Sequence, residues 1–279
     1  MAELPEIETL RHDLEREVAG KRIKSVEFTG MKSLARYQNR KQVAARLEGV
    51  KVMAVKRRGL LLLFKLDSNE YLIIEAGASG HLVRAAAKDA VPPHTQAVIT
   101  FTQGGQLRVV DPSEGGLQMA VVEIPQLVEE FPELADQGPD PVDDPMSWLV
   151  FADILRRHQL KLKTFLTDPT VILGIGPIYS DEILWDAGLR ADRISNALSS
   201  QEIRRLYRSV VETMHDAIKH RGTSVGDDPW TDLAGRPGGF QELLNAYGRD
   251  GLACKRCRGV IIKKKFGGKV TYCCDDCQV

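Results

Sequence analysis

The chain has 279 residues, 43% of them hydrophobic, 27% charged and 6% aromatic, enough for a sizeable core and long enough for two domains. Lys plus Arg (38) equals Asp plus Glu (38), which excludes a uniformly basic polyanion binder. No apolar run approaches about eighteen residues, and Met1-Ala-Glu-Leu-Pro-Glu6 lacks the basic segment and apolar stretch of a secretory signal, so no membrane partner and a cytoplasmic protein are expected.

Pro5 followed by Ile7, Leu10, Leu14 and Val18 predicts a helix opened by proline and stopped at Gly20. Strand-like runs follow at Ile23–Phe28, Val50–Val55, Leu60–Leu66, Tyr71–Ile74, Ala97–Phe101 and Leu107–Val110, broken by Gly, Asn and Asp. Six strands without intervening helices predict an antiparallel sandwich or barrel. Gly138-Pro-Asp-Pro141 reads as a rigid linker. Beyond it the period turns helical at Trp148–His158, Leu160–Leu166, after Gly176, at Ser200–His220 and at Gly239–Ala246. The division expected is residues 1–137, 138–248 and 249–279.

The zero net charge hides an asymmetry. Residues 111–148 carry ten acidic side chains and no Lys or Arg, whereas residues 249–279 carry eight basic and three acidic ones. A basic tail on a neutral protein is compatible with nucleic acid.

All five cysteines lie in the last 26 residues. Cys254-Lys-Arg-Cys257 and Cys274-Asp-Asp-Cys277, separated by sixteen residues, form two hooks whose four thiolates can close tetrahedrally on one structural Zn²⁺. The intervening segment, turning at Gly267-Gly268, should be a β-hairpin that presents Lys263, Lys264, Lys265 and Lys269. Cys273 reads as a bystander. Gly174-Ile-Gly176, opening a helix, offers backbone N–H groups and a positive dipole end to a phosphate, or serves simply as a turn.

Taken together, Met1-Ala-Glu-Leu-Pro-Glu-Ile-Glu-Thr9, Gly77-Ala-Ser-Gly80, Asp111-Pro112, Gly138-Pro-Asp-Pro141, the Gly174 segment, Arg221-Gly-Thr-Ser224, Tyr247-Gly-Arg249 and the cysteine hairpin resemble, in order and spacing, the formamidopyrimidine-DNA glycosylase/endonuclease VIII family over essentially the whole chain. The resemblance implies an α+β fold: an N-terminal helix with an antiparallel β-sandwich, a helical helix–two-turns–helix domain and a zinc-finger hairpin. It also implies a DNA-repair enzyme with damaged DNA bound in the cleft between the domains; a monomer is expected, and abasic or single-stranded DNA as a partner follows from the lesion-side departures below. Removal of the initiator Met would free the Ala2 amine to attack the sugar C1′ of a flipped nucleotide, with Glu3 assisting proton transfer and a Schiff base leading to strand cleavage. Lys163, Gly174, Gly176, Tyr247, Arg249 and Lys269 are expected to hold DNA, the lysine-rich hairpin, Lys163, Arg249 and the glycine turn lining one cleft.

The departures from the family pattern cluster at the lesion. Ala2 replaces the usual Pro, Leu60 the sandwich Lys, Ala78 the void-filling Met, Ser113-Glu-Gly115 the Arg and Phe that fill the gap, Pro177 a phosphate-holding Asn, and Lys269 the finger Arg. Two functions therefore stand at this point: a divergent glycosylase with abasic-site lyase activity, and a non-catalytic protein that recognises DNA damage or structure on the same scaffold.

Overall fold

Helix α1 (Leu4–Val18) forms where proline and a capping box coincide. Pro5 sits in the first turn, the Glu3 side chain caps the N3 backbone, and the Glu6 side chain caps Glu3. Its face of Ile7, Leu10, Leu14 and Val18 is buried against a β-sandwich. The computed structural model describes residues 2–77, 79–112, 116–144, 146–226, 229–266 and 268–279.

The chain divides into two compact units. The first comprises residues 1–135 together with 221–239. After α1 come β1 (Ile23–Phe28), α2 (Arg40–Leu47), β2 (Val52–Arg58), β3 (Leu61–Leu66), β4 (Glu70–Glu75), β5 (His81–Ala85), β6 (Thr95–Phe101), β7 (Gln106–Val110), β8 (Gln118–Glu123) and the single turn α3 (Leu127–Glu130). Two antiparallel four-stranded sheets result, ordered β1-β6-β7-β5 and β2-β3-β4-β8. Their inner faces, with Val26, Ile99 and Val109 from one sheet and Leu62, Phe64, Leu72 and Val121 from the other, share a core with α1.

The second sheet is buried on its other face as well. Leu61, Leu63, Ile73, Ala120 and Val122 pack there against Phe131, with Leu127 and Leu134 beside them. This explains the unbroken apolar run Leu60–Phe64, since a strand covered on both sides needs no alternation. It also explains why β8, four of whose six residues are buried, carried no readable period. Neither β5 nor β8 nor α2 is predicted by the sequence pattern. Asn39 caps α2 by accepting the Lys41 N–H at 2.9 Å.

The second unit comprises residues 136–220 and 240–279. It holds α4 (Trp148–Arg157), α5 (Leu162–Leu166), α6 (Pro177–Ala187), α7 (Ser200–Lys219) and the hairpin β9 (Ile261–Phe266) and β10 (Lys269–Cys274). Helix α7 begins in a Ser199/Glu202 capping box. Helix α6 ends at Gly188, whose φ of 67° suits a residue without Cβ.

The helix expected over Gly239–Ala246 is only a short 3₁₀ turn, Phe240–Leu243. The Asn245, Ala246 and Tyr247 N–H groups donate to the Glu182 carboxylate, each at 2.8 Å, so they are not available to helical carbonyls. Among the described residues, no helix is long and apolar enough to cross a membrane.

Candidate functional site

In the first unit the candidate chemistry gathers at the start of α1. Ala2 packs into the sandwich core, Glu3 is 2% exposed and Glu6 is fully buried. The Glu6 carboxylate accepts the Glu3 N–H through Oε2 at 2.8 Å and the Thr223 N–H through Oε1 at 2.7 Å. Gly222 closes on it: at φ 79°, a Cβ there would lie 2.6 Å from Glu6 Oε1. Gly238 crosses the same strand of chain, its would-be Cβ 2.2 Å from the Gly222 carbonyl oxygen, so residues 222–238 form a loop pinched at its neck. Ser224 Oγ ties that loop internally, donating to the Trp230 carbonyl and accepting the Gly238 N–H, while Trp230 and Leu233 enter the core. The Arg221-Gly-Thr-Ser224 motif thus serves to hold the helix start.

One turn further along α1, Glu8 receives Arg57 at 2.8 Å, Arg11 at 2.7 Å and His12 at 2.9 Å. Burial alone would raise the Glu8 pKa, but the hydrogen bonds and charges of Arg11 and Arg57 hold it below the usual carboxylate range. Arg57 is therefore an internal partner of α1. Leu60, where the family pattern has a lysine, is 39% exposed and apolar.

The two loops that would carry the void-filling groups are stitched by Asp111. Its carboxylate accepts from Ser79 Oγ at 2.8 Å and from the Gly116 and Leu117 N–H groups, each at 3.1 Å. A Cβ on Gly77 would sit 2.1 Å from the Gly116 oxygen, so only glycine allows this approach. The frame is intact, while Ala78 and Ser113–Gly115 themselves lie outside the described residues, as do Met1 and Gly267.

In the second unit α6 is the organising element. Gly174 turns with φ 74°, Gly176 caps the helix and Pro177 opens it. Lys163, expected on the DNA surface, is instead 1% exposed. Its Nζ lies 2.6 Å from Asp181 Oδ1 and donates to the Pro177 carbonyl at 3.0 Å, so it is an internal cation with no reach to a phosphate. Asp181 Oδ2 accepts the Tyr272 N–H at 2.9 Å and so ties β10 to α6. Burial pushes the Asp181 carboxyl up to about 6, against the lowering by Lys163. Burial likewise raises Glu182, which holds the 245–247 turn. The sequence signal for both acids is two adjacent carboxylates within Ile178–Trp185, a segment whose only other non-hydrophobic residue is Ser180.

The remaining expected residues lie around this helix. Tyr247 and Tyr272 stack edge to face with centroids 5.1 Å apart, and Lys263 lies 5.5 Å from the Tyr272 ring. Lys269 Nζ donates to Thr167 Oγ1, linking the hairpin to the end of α5. Arg249 donates one Nη2 bond to the Ala253 carbonyl at 3.2 Å, while its shielded Nε finds no partner among the described residues.

The four predicted thiols converge: the Cys254, Cys257, Cys274 and Cys277 sulfurs all lie within 4.8 Å of one another. Cys257 and Cys274 are 3.4 Å apart and Cys254 and Cys277 3.8 Å, too far for disulfides and close to the edge of about 3.8 Å of a tetrahedron with Zn–S near 2.3 Å. The Trp185 indole N–H donates to Cys254 Sγ at 3.3 Å, a contact that orients a thiolate ligand. The group can hold a metal ion. Cys273 faces away into the protein, where burial and the Asp275 charge push its thiol up to about 11.

Comparison with known proteins identifies the family. Residues 1–117 match the formamidopyrimidine-DNA glycosylase N-terminal domain and residues 137–228 its H2TH domain. The chain is 35% identical over its full length to the whole formamidopyrimidine-DNA glycosylase of Geobacillus kaustophilus, and 32% identical, again over its full length, to 99% of that of Pelotomaculum thermopropionicum. Among solved structures, the Lactococcus lactis Fpg in complex with an abasic site containing DNA superposes with a TM-score of 0.89 at 30% identity, covering 99% of each chain. The MutM (Fpg) protein of Thermus thermophilus superposes at 0.86 with 32% identity, covering 99% of this chain and 98% of that one.

Proposed function

Since the chain belongs to the formamidopyrimidine-DNA glycosylase family, we propose that it is a DNA-repair glycosylase with associated abasic-site lyase activity, binding damaged DNA and working in the cytoplasm as a monomer. The observation that carries this reading is the construction around residues 2–6, where a buried carboxylate fixes the first turn of α1 from both sides. That degree of positioning is what an N-terminal nucleophile requires.

With Met1 removed, the Ala2 amine attacks C1′ of the damaged nucleotide and the base departs with its bonding electrons. Glu3, next in the chain, assists the proton transfers: the C1′–O4′ bond opens with O4′ taking a proton as the nitrogen gives up its own, and the imine so formed lets a C2′ proton be lost and the 3′ phosphate depart, which cuts the strand. A primary α-amine, with a pKa near 7.7–8.0, is partly neutral at physiological pH. The glycine turn, Tyr247, Arg249 and Lys269 serve the phosphates and bases. Lys163 supports the site from inside. Cys254, Cys257, Cys274 and Cys277 hold one structural Zn²⁺ that fixes the hairpin, and residues 249–279 act as its finger.

Because the lesion-side positions are Leu60, Ala78 and Ser113-Glu-Gly115, activity is greatest where flipping costs nothing, on abasic or single-stranded substrate. Borohydride reduction of the protein mixed with abasic single-stranded DNA tests the reading. A covalent adduct mapping to Ala2 is expected. Absence of an adduct from protein shown by intact mass to lack Met1 would overturn it.

A further inference from the structure

The half of α1 away from Glu3 carries a feature that the glycosylase reading does not use. Glu17 lies fourteen residues, about 20 Å of helix, from Glu3. Around it the first unit has two adjoining hollows of about 330 and 630 Å³, sharing Glu17, Arg84 and Ala234 in their walls.

The walls are built in two charge layers. Beneath lie Asp13 and Asp232, with side chains 6% and 1% exposed, and Glu17 at 24%. Above them stand guanidinium heads that the carboxylates hold in place. Arg16 pairs with Asp13 at 2.9 Å, Arg84 with Glu17 at 3.1 Å and Arg236 with Asp232 at 2.9 Å. Arg221 bridges Asp13 at 2.5 Å and Asp232 at 2.7 Å. Burial alone would raise the Asp232 pKa, but the Arg236 N–H groups and Arg221 keep it below the usual range. The upper layer faces water: the Arg16, Arg84 and Arg236 side chains are 76%, 61% and 65% exposed.

A guanidinium carries five donors, and the carboxylates beneath take only one or two from each head. The rest are pre-oriented at low entropic cost for an incoming carboxylate. Arg16 and Arg236 border the smaller hollow, and the larger one, which Arg84 shares, has a small apolar floor of Ala85, Ala86, Ala87, Gly105 and Ala234 with Lys21 and Asp89 at its sides. The floor runs beside the edge strand β5, along which the 233–236 segment is laid by the Arg84 N–H to Leu233 oxygen bond of 2.9 Å.

We propose that this groove is a docking site for an acidic peptide segment of a partner protein, its carboxylates taken by Arg16, Arg84 and Arg236 and an apolar side chain seated on the alanine floor. A nucleic-acid duplex fits less well. Its charges, one about every 1.7 Å of axis, would also lie over Asp89 and Glu17, whereas a peptide can place its few carboxylates between them.

The test is fluorescence anisotropy with a labelled Asp-Asp-Leu-Asp-Asp-Phe peptide on the full chain at low salt, with Lys-Lys-Leu-Lys-Lys-Phe as control. Saturable binding of the acidic peptide alone is expected, weakened at least tenfold by Arg84→Glu with Arg236→Glu and reduced by salt. Arg16→Glu, whose head is the most exposed of the three, gives a second reading with little risk to folding, and an unchanged melting temperature verifies it. Affinity for abasic DNA should stay within about twofold in these variants. No binding of the acidic peptide, binding indifferent to the substitutions, or a parallel loss of DNA affinity that marks the groove as a nucleic-acid surface would each overturn the proposal.

Discussion

Thr223 donates its backbone N–H to Glu6 Oε1 at 2.7 Å across 217 residues of sequence, and the other oxygen of that carboxylate receives Glu3. Glu6 is fully buried, so neither bond has water to replace it. Glu6→Gln keeps the shape but turns one acceptor into a donor facing an N–H. The expected result is a loss of about 2 kcal/mol in urea unfolding, together with a fall in borohydride trapping on abasic DNA larger than the fall in DNA affinity. Equal falls in both would mean that the carboxylate stabilises the unit without positioning the amine.

The buried pair Lys163–Asp181 should behave asymmetrically. Lys163→Met leaves the Asp181 carboxylate uncompensated inside the second unit above about pH 6 and should cost about 3–5 kcal/mol there, whereas Lys163→Met with Asp181→Asn should recover most of it. Denaturant titration of the two single variants and the double variant completes the cycle; additive losses would show that the pair is not coupled.

The same aspartate predicts a pH dependence. Its folded-state carboxyl sits at about 6, above the ordinary value of 3.8, so the folded form binds a proton more readily than the unfolded chain. The stability that Asp181 contributes is thus fully present below about pH 4 and is lost as pH rises through 6. Between pH 4.5 and 7 the double variant should lack this downward component when its stability profile is subtracted from that of the parent. An unaltered profile would place the titration elsewhere.

Removal of the metal should act locally. Chelation, or Cys274→Ser, is expected to release one Zn²⁺ per chain and to abolish protection of the β9–β10 amides in hydrogen exchange, while the amides of the β2-β3-β4-β8 sheet stay protected. Elemental analysis of the purified protein without zinc would refute the assignment directly.

Salt dependence separates the two cations expected at DNA. Lys269→Ala and Arg249→Ala should each lower the slope of log K against log salt by about 1 if each neutralises one phosphate. Lys163→Met, being internal, should leave the slope unchanged even where it lowers stability.

Much of this architecture is legible in the residues alone. Proline with apolar spacing marks α1, a serine with glutamate three residues on opens α7, and two Cys-x-x-Cys hooks around a glycine turn define the hairpin and its thiol cluster. These are local: the interactions that decide them fall within a few turns of chain, or within one hairpin. What the pattern did not carry were contacts between distant segments. Strand β8 is covered on both faces because Phe131 and its neighbours fold over the sheet, which erases the alternation that reveals a strand. Lys163 reads as a surface cation until Asp181 is found beside it, and the Gly239–Ala246 segment reads as a helix until Glu182 takes its N–H groups. A buried charge or backbone donor goes wherever its partner is, because leaving it unpaired costs more than the local preference it gives up. The identity of that partner is decided only when the chain has folded.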